Sequence, residues 1–234
     1  AYFDDGDTPA AYRVERIEFA DGTVWSEADV RAVTDQFTAG NDYVDGSASV
    51  DALDGLDGND YIWGHGGDDV LLGNLGSDWL WGGTGDDRLS GGDGADQLYG
   101  GSGNDTLGGD GGDDWLKGDD GNDVLDGGDG ADYLEGMGGN DILYGGTGGD
   151  TLWGDDPRVG GTGDDFLDGG DGNDFLIGQQ GDDVLLGGSG DDRLDGTVST
   201  DVNTVDADRL AGEGGDDELY GGGGVDTLSG GEGD

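Results

Sequence analysis

GGTGDDRLSGGDGADQLYG, residues 82–100, contains an Asp and a Leu that return after nine residues. Asp87 and Leu89 are followed by Asp96 and Leu98 in the same relative positions. A disordered acidic tether has a biased composition but no such register. The regular spacing therefore predicts a repeated structural unit.

The same nine-residue unit recurs along most of the chain. Counting from Thr38, twenty complete units occur, and thirteen of them run without a break to Gly154. The fifth position is Asp and the ninth is Gly in all twenty units, the seventh is Val, Ile or Leu, and the third is Gly in eighteen. Two stretches, 155–160 and 197–203, interrupt the array four units apart, so we expect both on the same edge. We accordingly divide the chain into an N-terminal segment, 1–37, and a repeat array, 38–234.

The composition excludes several classes of protein. The 234 residues include 59 Gly and 57 acidic against 8 basic residues, which gives a formal net charge of -49. Such a charge excludes nucleic acid and anionic membrane surfaces as partners, and it attracts cations. The chain has no Cys, and no apolar stretch is long enough to span a membrane.

No catalytic constellation is present. The sequence lacks an HExxH motif, a nucleophile elbow and a P-loop lysine, and its single histidine, His65, stands at the start of a predicted turn. Paired carboxylates resemble acid/base pairs, but their strict period indicates ion binding instead. We therefore predict that the chain is not an enzyme.

The physics of one unit predicts the fold. Positions six to eight read as a short strand whose seventh side chain faces inward, and the glycine-rich remainder reads as a turn. A strand of three residues is stable only when units stack and share a core. We predict an all-β protein: a parallel β-roll, that is, a two-sheet solenoid with 18 residues per full turn, with a small N-terminal α+β cap. The cap would contain a hairpin turning at Asp21-Gly22 and a helix from Ser26 to about Val33.

In such a roll the position-five aspartates stack along two edges. Parallel strands lie about 4.8 Å apart, and carboxylates at that spacing repel by roughly 1 kcal/mol even in water. Cations between the rungs would remove this repulsion, and oxygen donors without Cys or clustered His favour Ca²⁺ over zinc or copper. The candidate carboxylate ligands are Asp42, Asp60, Asp69, Asp78, Asp87, Asp96, Asp105, Asp114, Asp123, Asp132, Asp141, Asp150, Asp165, Asp174, Asp183, Asp192, Asp208, Asp217 and Asp226. Twenty units leave at most about eighteen same-edge gaps for ions.

Residues 82–90, GGTGDDRLS, have the form GGxGxDxUx and resemble the calcium-binding nonapeptide of the RTX (repeats-in-toxin), haemolysin-type family. The resemblance recurs in phase over the whole array. It implies a β-roll in which Ca²⁺ lies between same-edge turns, held by position-five carboxylates and turn carbonyls. The representative carbonyl donors it implies are Gly82, Gly83, Thr84, Gly85, Gly91, Gly92, Asp93 and Gly94.

The family resemblance also carries expectations about origin. Its members leave the cell by type I secretion and fold on meeting extracellular Ca²⁺, which implies an extracellular or cell-surface location. FADGTVW at residues 19–25 resembles the FADGTxW module that precedes RTX arrays in large secreted proteins. We favour a structural cap over an independent binding site for this segment, and we expect the chain to be part of a longer protein.

Aromatic side chains concentrate on the outward positions of the odd-numbered units. Either they stack across rungs and stabilise their own sheet, or they form an interface with another chain or another part of the parent protein. The residues of this predicted aromatic face are Tyr61, Trp63, Trp79, Trp81, Tyr99, Trp115 and Trp153. Two functions fit the whole sequence. One is a scaffold, adhesin, surface-layer or filament component, and the other is the secretion-and-folding module of an enzyme or toxin whose catalytic residues lie outside the chain.

Overall fold

The computed structural model describes residues 38–155, 163–196 and 206–233 in full, and four short strands in the N-terminal segment. These four are β1 (Phe3–Asp4), β2 (Arg13–Val14), β3 (Arg16–Glu18) and β4 (Val24–Ser26). β1 pairs with β2 and β3 with β4, both antiparallel. The second pair flanks Asp21 and Gly22, in agreement with the predicted hairpin. Residues 27–33 of the predicted helix lie outside the described part of the chain.

The array consists of twenty strands in two ten-stranded sheets. The odd sheet contains β5 (Tyr43–Ser47), β7 (Tyr61–Gly66), β9 (Trp79–Thr84), β11 (Gln97–Ser102), β13 (Trp115–Asp120), β15 (Tyr133–Gly138), β17 (Thr151–Asp155), β19 (Phe175–Ile177), β21 (Arg193–Asp195) and β23 (Glu218–Tyr220). The even sheet contains β6 (Ala52–Asp54), β8 (Val70–Leu75), β10 (Arg88–Asp93), β12 (Thr106–Gly111), β14 (Val124–Asp129), β16 (Ile142–Gly148), β18 (Phe166–Gly172), β20 (Val184–Ser189), β22 (Arg209–Gly214) and β24 (Thr227–Ser229). Successive strands alternate between the sheets, so each pair of consecutive strands forms one rung of a solenoid.

The register confirms the predicted 18-residue turn. Leu89 pairs with Leu71 in the preceding rung and with Leu107 in the following one, and both pairings are parallel. The fold is therefore an all-β, two-sheet parallel β-roll of about ten turns. The described residues contain no helix, and accordingly none that could cross a membrane.

The core is a single column of aliphatic side chains from position seven of each unit. Leu80, Leu98 and Leu116 are completely buried, and the same holds for almost every position-seven residue from Val44 to Leu194. The column opens at the C-terminal end, where Leu228 is exposed. Each rung thus contributes two aliphatic side chains, one from each sheet, to a thin continuous core, as the sequence predicted.

The strands are longer than predicted. Most span six residues instead of three, because pairing between rungs continues through the first two positions of the next unit, although position one has a positive φ. Gly82, Gly83 and Thr84, predicted in a turn, belong to β9. Only position three and the two residues after it make the turn proper. The same correction applies on the following strand, where Gly91, Gly92 and Asp93 belong to β10 and Gly94 follows it.

Candidate metal sites

The position-five aspartates form two continuous ladders. The backbone N–H of Asp69 donates to Oδ1 of Asp87 at 2.7 Å, and the N–H of Asp87 donates to Oδ1 of Asp105 at 2.8 Å. The odd ladder contains Asp42, Asp60, Asp78, Asp96, Asp114, Asp132, Asp150, Asp174, Asp192 and Asp217. The even ladder contains Asp51, Asp69, Asp87, Asp105, Asp123, Asp141, Asp165, Asp183, Asp208 and Asp226. All nineteen candidate carboxylates lie in these ladders, and Asp51 joins them.

The interruptions of the array do not break the ladders. Asp141 N–H donates to Oδ1 of Asp165 at 2.8 Å across 24 residues, and Asp183 N–H donates to Oδ1 of Asp208 at 3.0 Å across 25 residues. Both interruptions precede a member of the even ladder, as their spacing predicted. Hence the roll keeps its rung-to-rung geometry where the sequence departs from the repeat.

The second carboxylate oxygen of these residues is buried without a partner. Asp87, for example, is 1% exposed, and its Oδ2 has no hydrogen-bond partner in the described part of the chain. A buried anionic oxygen without a compensating donor or charge is unfavourable. The ladder residues whose Oδ2 is in this state are Asp60, Asp69, Asp78, Asp87, Asp96, Asp105, Asp114, Asp123, Asp132, Asp141, Asp150, Asp165, Asp174, Asp183, Asp192, Asp208 and Asp217. Because the same oxygen is unpartnered along both ladders, the pattern indicates a repeated site for a positive charge and not an error of packing at one residue.

Backbone carbonyls lie beside these orphaned oxygens. A Cβ added to Gly64 would overlap Oδ2 of Asp69 and would lie 2.7 Å from the carbonyl oxygen of Gly82. A Cβ added to Gly73 would meet Oδ2 of Asp78 and the carbonyl oxygen of Gly91 in the same way. The position-nine glycine therefore keeps open the space where a carboxylate and a carbonyl from adjacent rungs converge. Carboxylate and carbonyl oxygens are the ligands of Ca²⁺, so the donor set fits this ion.

The other candidate carbonyl donors have a different placement. The carbonyl oxygens of Thr84 and Asp93 accept the N–H groups of Gly67 and Gly76, each at 2.9 Å, and so belong to the backbone ladder between rungs. Gly83, Gly85, Gly92 and Gly94 all have positive φ. They lie where adjacent rungs approach most closely, and a Cβ on any of them would overlap a carbonyl oxygen of the preceding rung. Because these four residues have no Cβ, adjacent turns can stack on one another.

Burial dominates the electrostatics of the ladders. Loss of solvent raises the pKa of Asp87 and Asp96 to about 6 and that of Asp114 to about 7. The N–H bond from the preceding rung lowers each pKa, and neighbouring carboxylates raise it. Repulsion between neighbouring carboxylates was the predicted cause of instability in an ion-free roll. The structure shows desolvation as the larger cause, because each carboxylate lies inside the turn.

The sites differ from a side-chain metal cluster. No group of three or more His, Cys, Asp or Glu side chains gathers around a common point within the described residues. A cation in these turns would accordingly take much of its coordination from the backbone. This explains why the turn composition, and not only the Asp, is fixed from unit to unit.

The predicted aromatic face is a continuous stack over part of the odd sheet. The rings of Trp81 and Tyr99 stack at 5.1 Å with an interplanar angle of 9°, and ring contacts continue through Trp115 to Tyr133. At the other end Tyr61 contacts Trp79 at 5.0 Å. These contacts provide the cross-rung stabilisation that was one of the two interpretations. Trp153, on β17, is partly buried beyond this series.

Part of the face remains open to solvent. Trp63 is 44% exposed, Tyr61 and Trp115 are similar, and Tyr43 is more exposed still. An open cleft of about 390 Å³ is lined by Tyr43, Tyr61, Ile62, Trp63 and Trp81. Stacking therefore does not account for all of the aromatic surface.

Buried carboxylates with an unpartnered oxygen, together with adjacent carbonyls, recur in most turns of the described array and form the donor set of a cation-binding parallel β-roll. The family model described as RTX calcium-binding nonapeptide repeat (4 copies) matches residues 38–71, 45–80, 72–107, 108–143, 135–156, 159–197 and 203–234. The model described as haemolysin-type calcium binding protein related domain matches residues 1–29. The chain belongs to the RTX calcium-binding repeat family, and its array is a calcium-binding β-roll. No curated protein matches the chain.

Two features of the candidate sites were not predicted from the sequence. The backbone-to-carboxylate ladder could not be read from the repeat, since it depends on which oxygen faces the neighbouring rung. Asp155 was assigned to an interruption, but it ends strand β17 and is buried. Asp110 and Asp119 follow a repeat glycine in the same way and are less buried, so the sequence gives no signal that separates Asp155 from them.

Proposed function

We propose that this chain is a calcium-dependent structural β-roll of a secreted or cell-surface protein, exported by type I secretion and folded by extracellular Ca²⁺. The observation that carries the proposal is the unpartnered Oδ2 of almost every ladder aspartate. In the ion-free chain these oxygens oppose folding. Bound Ca²⁺ supplies the positive charge that they lack, so its binding energy becomes folding energy.

The two carboxylate oxygens and the position-nine carbonyl would have different roles in binding the ion. Oδ1 of each position-five Asp after the first in its ladder accepts the N–H of the preceding rung and fixes the carboxylate, as Asp87 does for Asp69. Oδ2 and a position-nine carbonyl face the ion. The two ladders contain eighteen such rung-to-rung gaps. Filling all of them would reduce the net charge of -49 to about -13, and affinities of roughly 10⁻⁴ to 10⁻³ M suit an extracellular module.

Circular dichroism with chelator and then Ca²⁺ tests this proposal. We expect a coil spectrum in EDTA that converts cooperatively to a β spectrum as free Ca²⁺ rises into the millimolar range. Mg²⁺ at the same concentration is the matched control, and it should convert little, because it demands octahedral geometry and dehydrates reluctantly. A β spectrum that persists in EDTA and does not respond to Ca²⁺ would refute calcium-dependent folding.

Within the parent protein, we propose the role of scaffold, adhesin, surface-layer or filament component. The length of the array and the exposed part of the aromatic face support this role. The alternative is the secretion-and-folding module of an enzyme or toxin whose catalytic residues lie outside this chain, and the absence of a catalytic motif in these 234 residues agrees with either. Self-assembly of the isolated chain would favour the first.

Self-association through the aromatic face can be measured directly. In saturating Ca²⁺, we expect the sedimentation-derived mass to rise with concentration, because burying Trp63 and Tyr61 on a second copy removes apolar surface from water. Trp63→Ala should weaken the association at least about tenfold, whereas Tyr144→Ala, an exposed aromatic of the even sheet, should not. A constant monomer mass over the whole concentration series would leave stacking within the sheet as the role of this face.

A further inference from the structure

Asp155 is a buried carboxylate outside the nine-residue motif. It follows Gly154 at the end of β17, where the repeat is interrupted. Its side chain is 1% exposed, and neither Oδ1 nor Oδ2 accepts a hydrogen bond of standard geometry within the described residues. Asp110, at the same position of an uninterrupted unit, is exposed and accepts the hydroxyl of Ser90 at 2.6 Å. The two residues share a repeat position but not an environment.

The backbone explains the difference. Met137 and Gln179 occupy the equivalent position in the rungs on either side, and both are left-handed, with φ of 87° and 84°. Asp155 is not among the left-handed residues, and it pairs with Met137 as part of the sheet. Because β17 stays extended through Asp155, its side chain leaves the backbone in a different direction from those of its two neighbours.

Candidate ligands converge beside this position. A Cβ added to Gly154 would overlap Oδ2 of Asp165 and would lie 2.7 Å from the carbonyl oxygen of Gly178. Oδ2 of Asp165 is itself buried without a partner. Gly154 thus adjoins the usual carboxylate and carbonyl oxygens of the repeat, and Asp155 is the next residue along the chain.

The charge of Asp155 acts on the even ladder, as that of the exposed Asp110 acts on Asp96 and Asp114, so the burial of Asp155 is what distinguishes it. Its carboxylate raises the pKa of Asp141, Asp165 and Asp183, three consecutive members of the even ladder, although desolvation is the larger cause at each. The N–H groups of Gly163 and Gln180 lie close enough to lower the pKa of Asp155. No Lys, Arg or His forms an ion pair with Asp155 within residues 38–155, 163–196 and 206–233. The cluster therefore has an excess of negative charge that the described residues do not balance.

We propose that Asp155 is an additional ligand of a calcium ion held at the end of β17, together with Asp165 and the carbonyl oxygen of Gly178. This inference rests on the proposed function. Two buried carboxylates with unpartnered oxygens, those of Asp155 and Asp165, adjoin Gly154, against one beside the position-nine glycine of an uninterrupted unit, and higher ligand charge increases Ca²⁺ affinity. The site is accordingly the tightest of the array and fills first. Because Asp155 and Asp165 lie on opposite sides of the interruption, one ion ties its two ends together.

The test is a Ca²⁺ titration of the full chain by isothermal calorimetry, comparing Asp155→Asn with Asp110→Asn. Both substitutions remove one charge at the same repeat position, but only the first lies in the proposed site. We expect Asp155→Asn to lose the tightest ion or to weaken it at least about tenfold, and Asp110→Asn to match the wild type. Unchanged binding by Asp155→Asn would overturn the proposal.

A second measurement covers the case in which Asp155→Asn fails to fold. Trp153 lies two residues before Asp155 on β17, so a luminescent Tb³⁺ ion at the proposed site would be excited through its indole. We expect the first equivalent of Tb³⁺ to emit strongly in the wild type and weakly in Trp153→Phe. Equal emission from both would place the first ion elsewhere and overturn the proposal. Failure of the wild type to bind Ca²⁺ at all would instead refute the proposed function.

Discussion

We expect Gly109→Ala to prevent the calcium-loaded roll from reaching wild-type stability, and Gly108→Ala, one residue earlier, to leave it unchanged or raise it. Both glycines lie in β12, and neither has a positive φ. A Cβ at Gly109 would overlap Oδ2 of Asp114 and would lie 2.5 Å from the carbonyl oxygen of Gly127. A Cβ at Gly108 has nothing within 4 Å. The same chemical change is therefore made once inside a candidate ion site and once on the outer face of the sheet.

The expected magnitudes follow from this contrast. Overpacking of a rigid interior costs about 1–3 kcal/mol, and Gly109→Ala also obstructs the space between two oxygen ligands, so the loss of Ca²⁺ affinity adds to it. Gly108→Ala should be neutral or stabilise by about 0.4–1 kcal/mol, because it reduces the entropy of the unfolded chain. Thermal unfolding at several fixed Ca²⁺ concentrations measures both effects. Equal behaviour of the two variants would contradict the role assigned to the position-nine glycine.

In the presence of chelator, we expect acidification from pH 7.5 to about 4.5 to promote folding of the roll. Burial raises the pKa of Asp114 and Asp123 to about 7 and that of Asp87 to about 6, whereas an unfolded Asp has a pKa near 3.9. Between these values the folded chain binds more protons than the unfolded one, so the free energy of unfolding rises as pH falls. The ion-free roll is therefore most stable below about pH 4 and loses that stability as pH rises through 6 to 7.

Calcium reverses this dependence, because the ion and the proton compete for the same oxygen. We expect the Ca²⁺ concentration at the folding midpoint to increase as pH falls below about 6, and circular dichroism over a pH series with and without Ca²⁺ measures both trends. Asp114→Asn keeps the Oδ1 acceptor but removes the buried charge, so it should favour the ion-free fold at pH 7.5. Asp93→Asn, at an exposed position, is the control for net charge. A β content that falls steadily on acidification in chelator would contradict the assignment.

The sequence predicted those features that depend on period alone. Leu89 and Leu98 face the core, and Asp87 and Asp96 lie in opposite ladders, because a strict nine-residue repeat allows one inward position per unit and two units per rung. The 18-residue register follows from the same count. Chemistry at position five then pointed to calcium, since carboxylates repeated without counter-charges require cations.

The features that the sequence did not predict depend on the different structural roles of individual glycines. Gly94 has a φ of 153° and takes the conformation expected of a turn glycine, but Gly91 has no positive φ and is needed because a carboxylate occupies the space of its side chain. Sequence treats the two alike, which is why the strands were predicted too short. The burial of Asp155 was not predicted, for a related reason. Its burial follows from an extended backbone at one position, and nothing in its neighbours along the chain specifies that.

The return of the chain after 18 residues has a mechanical consequence. Each rung contacts only the rung before it and the rung after it, so the roll behaves as a coil of nearly equal loops rather than as one indivisible body. Releasing one loop lengthens the chain by about 6 nm, at roughly 3.3–3.6 Å per residue. Under tension such a coil yields from its ends in equal steps and rewinds in the same steps when the load falls. The larger loops, at the two interruptions, would give steps of a different length.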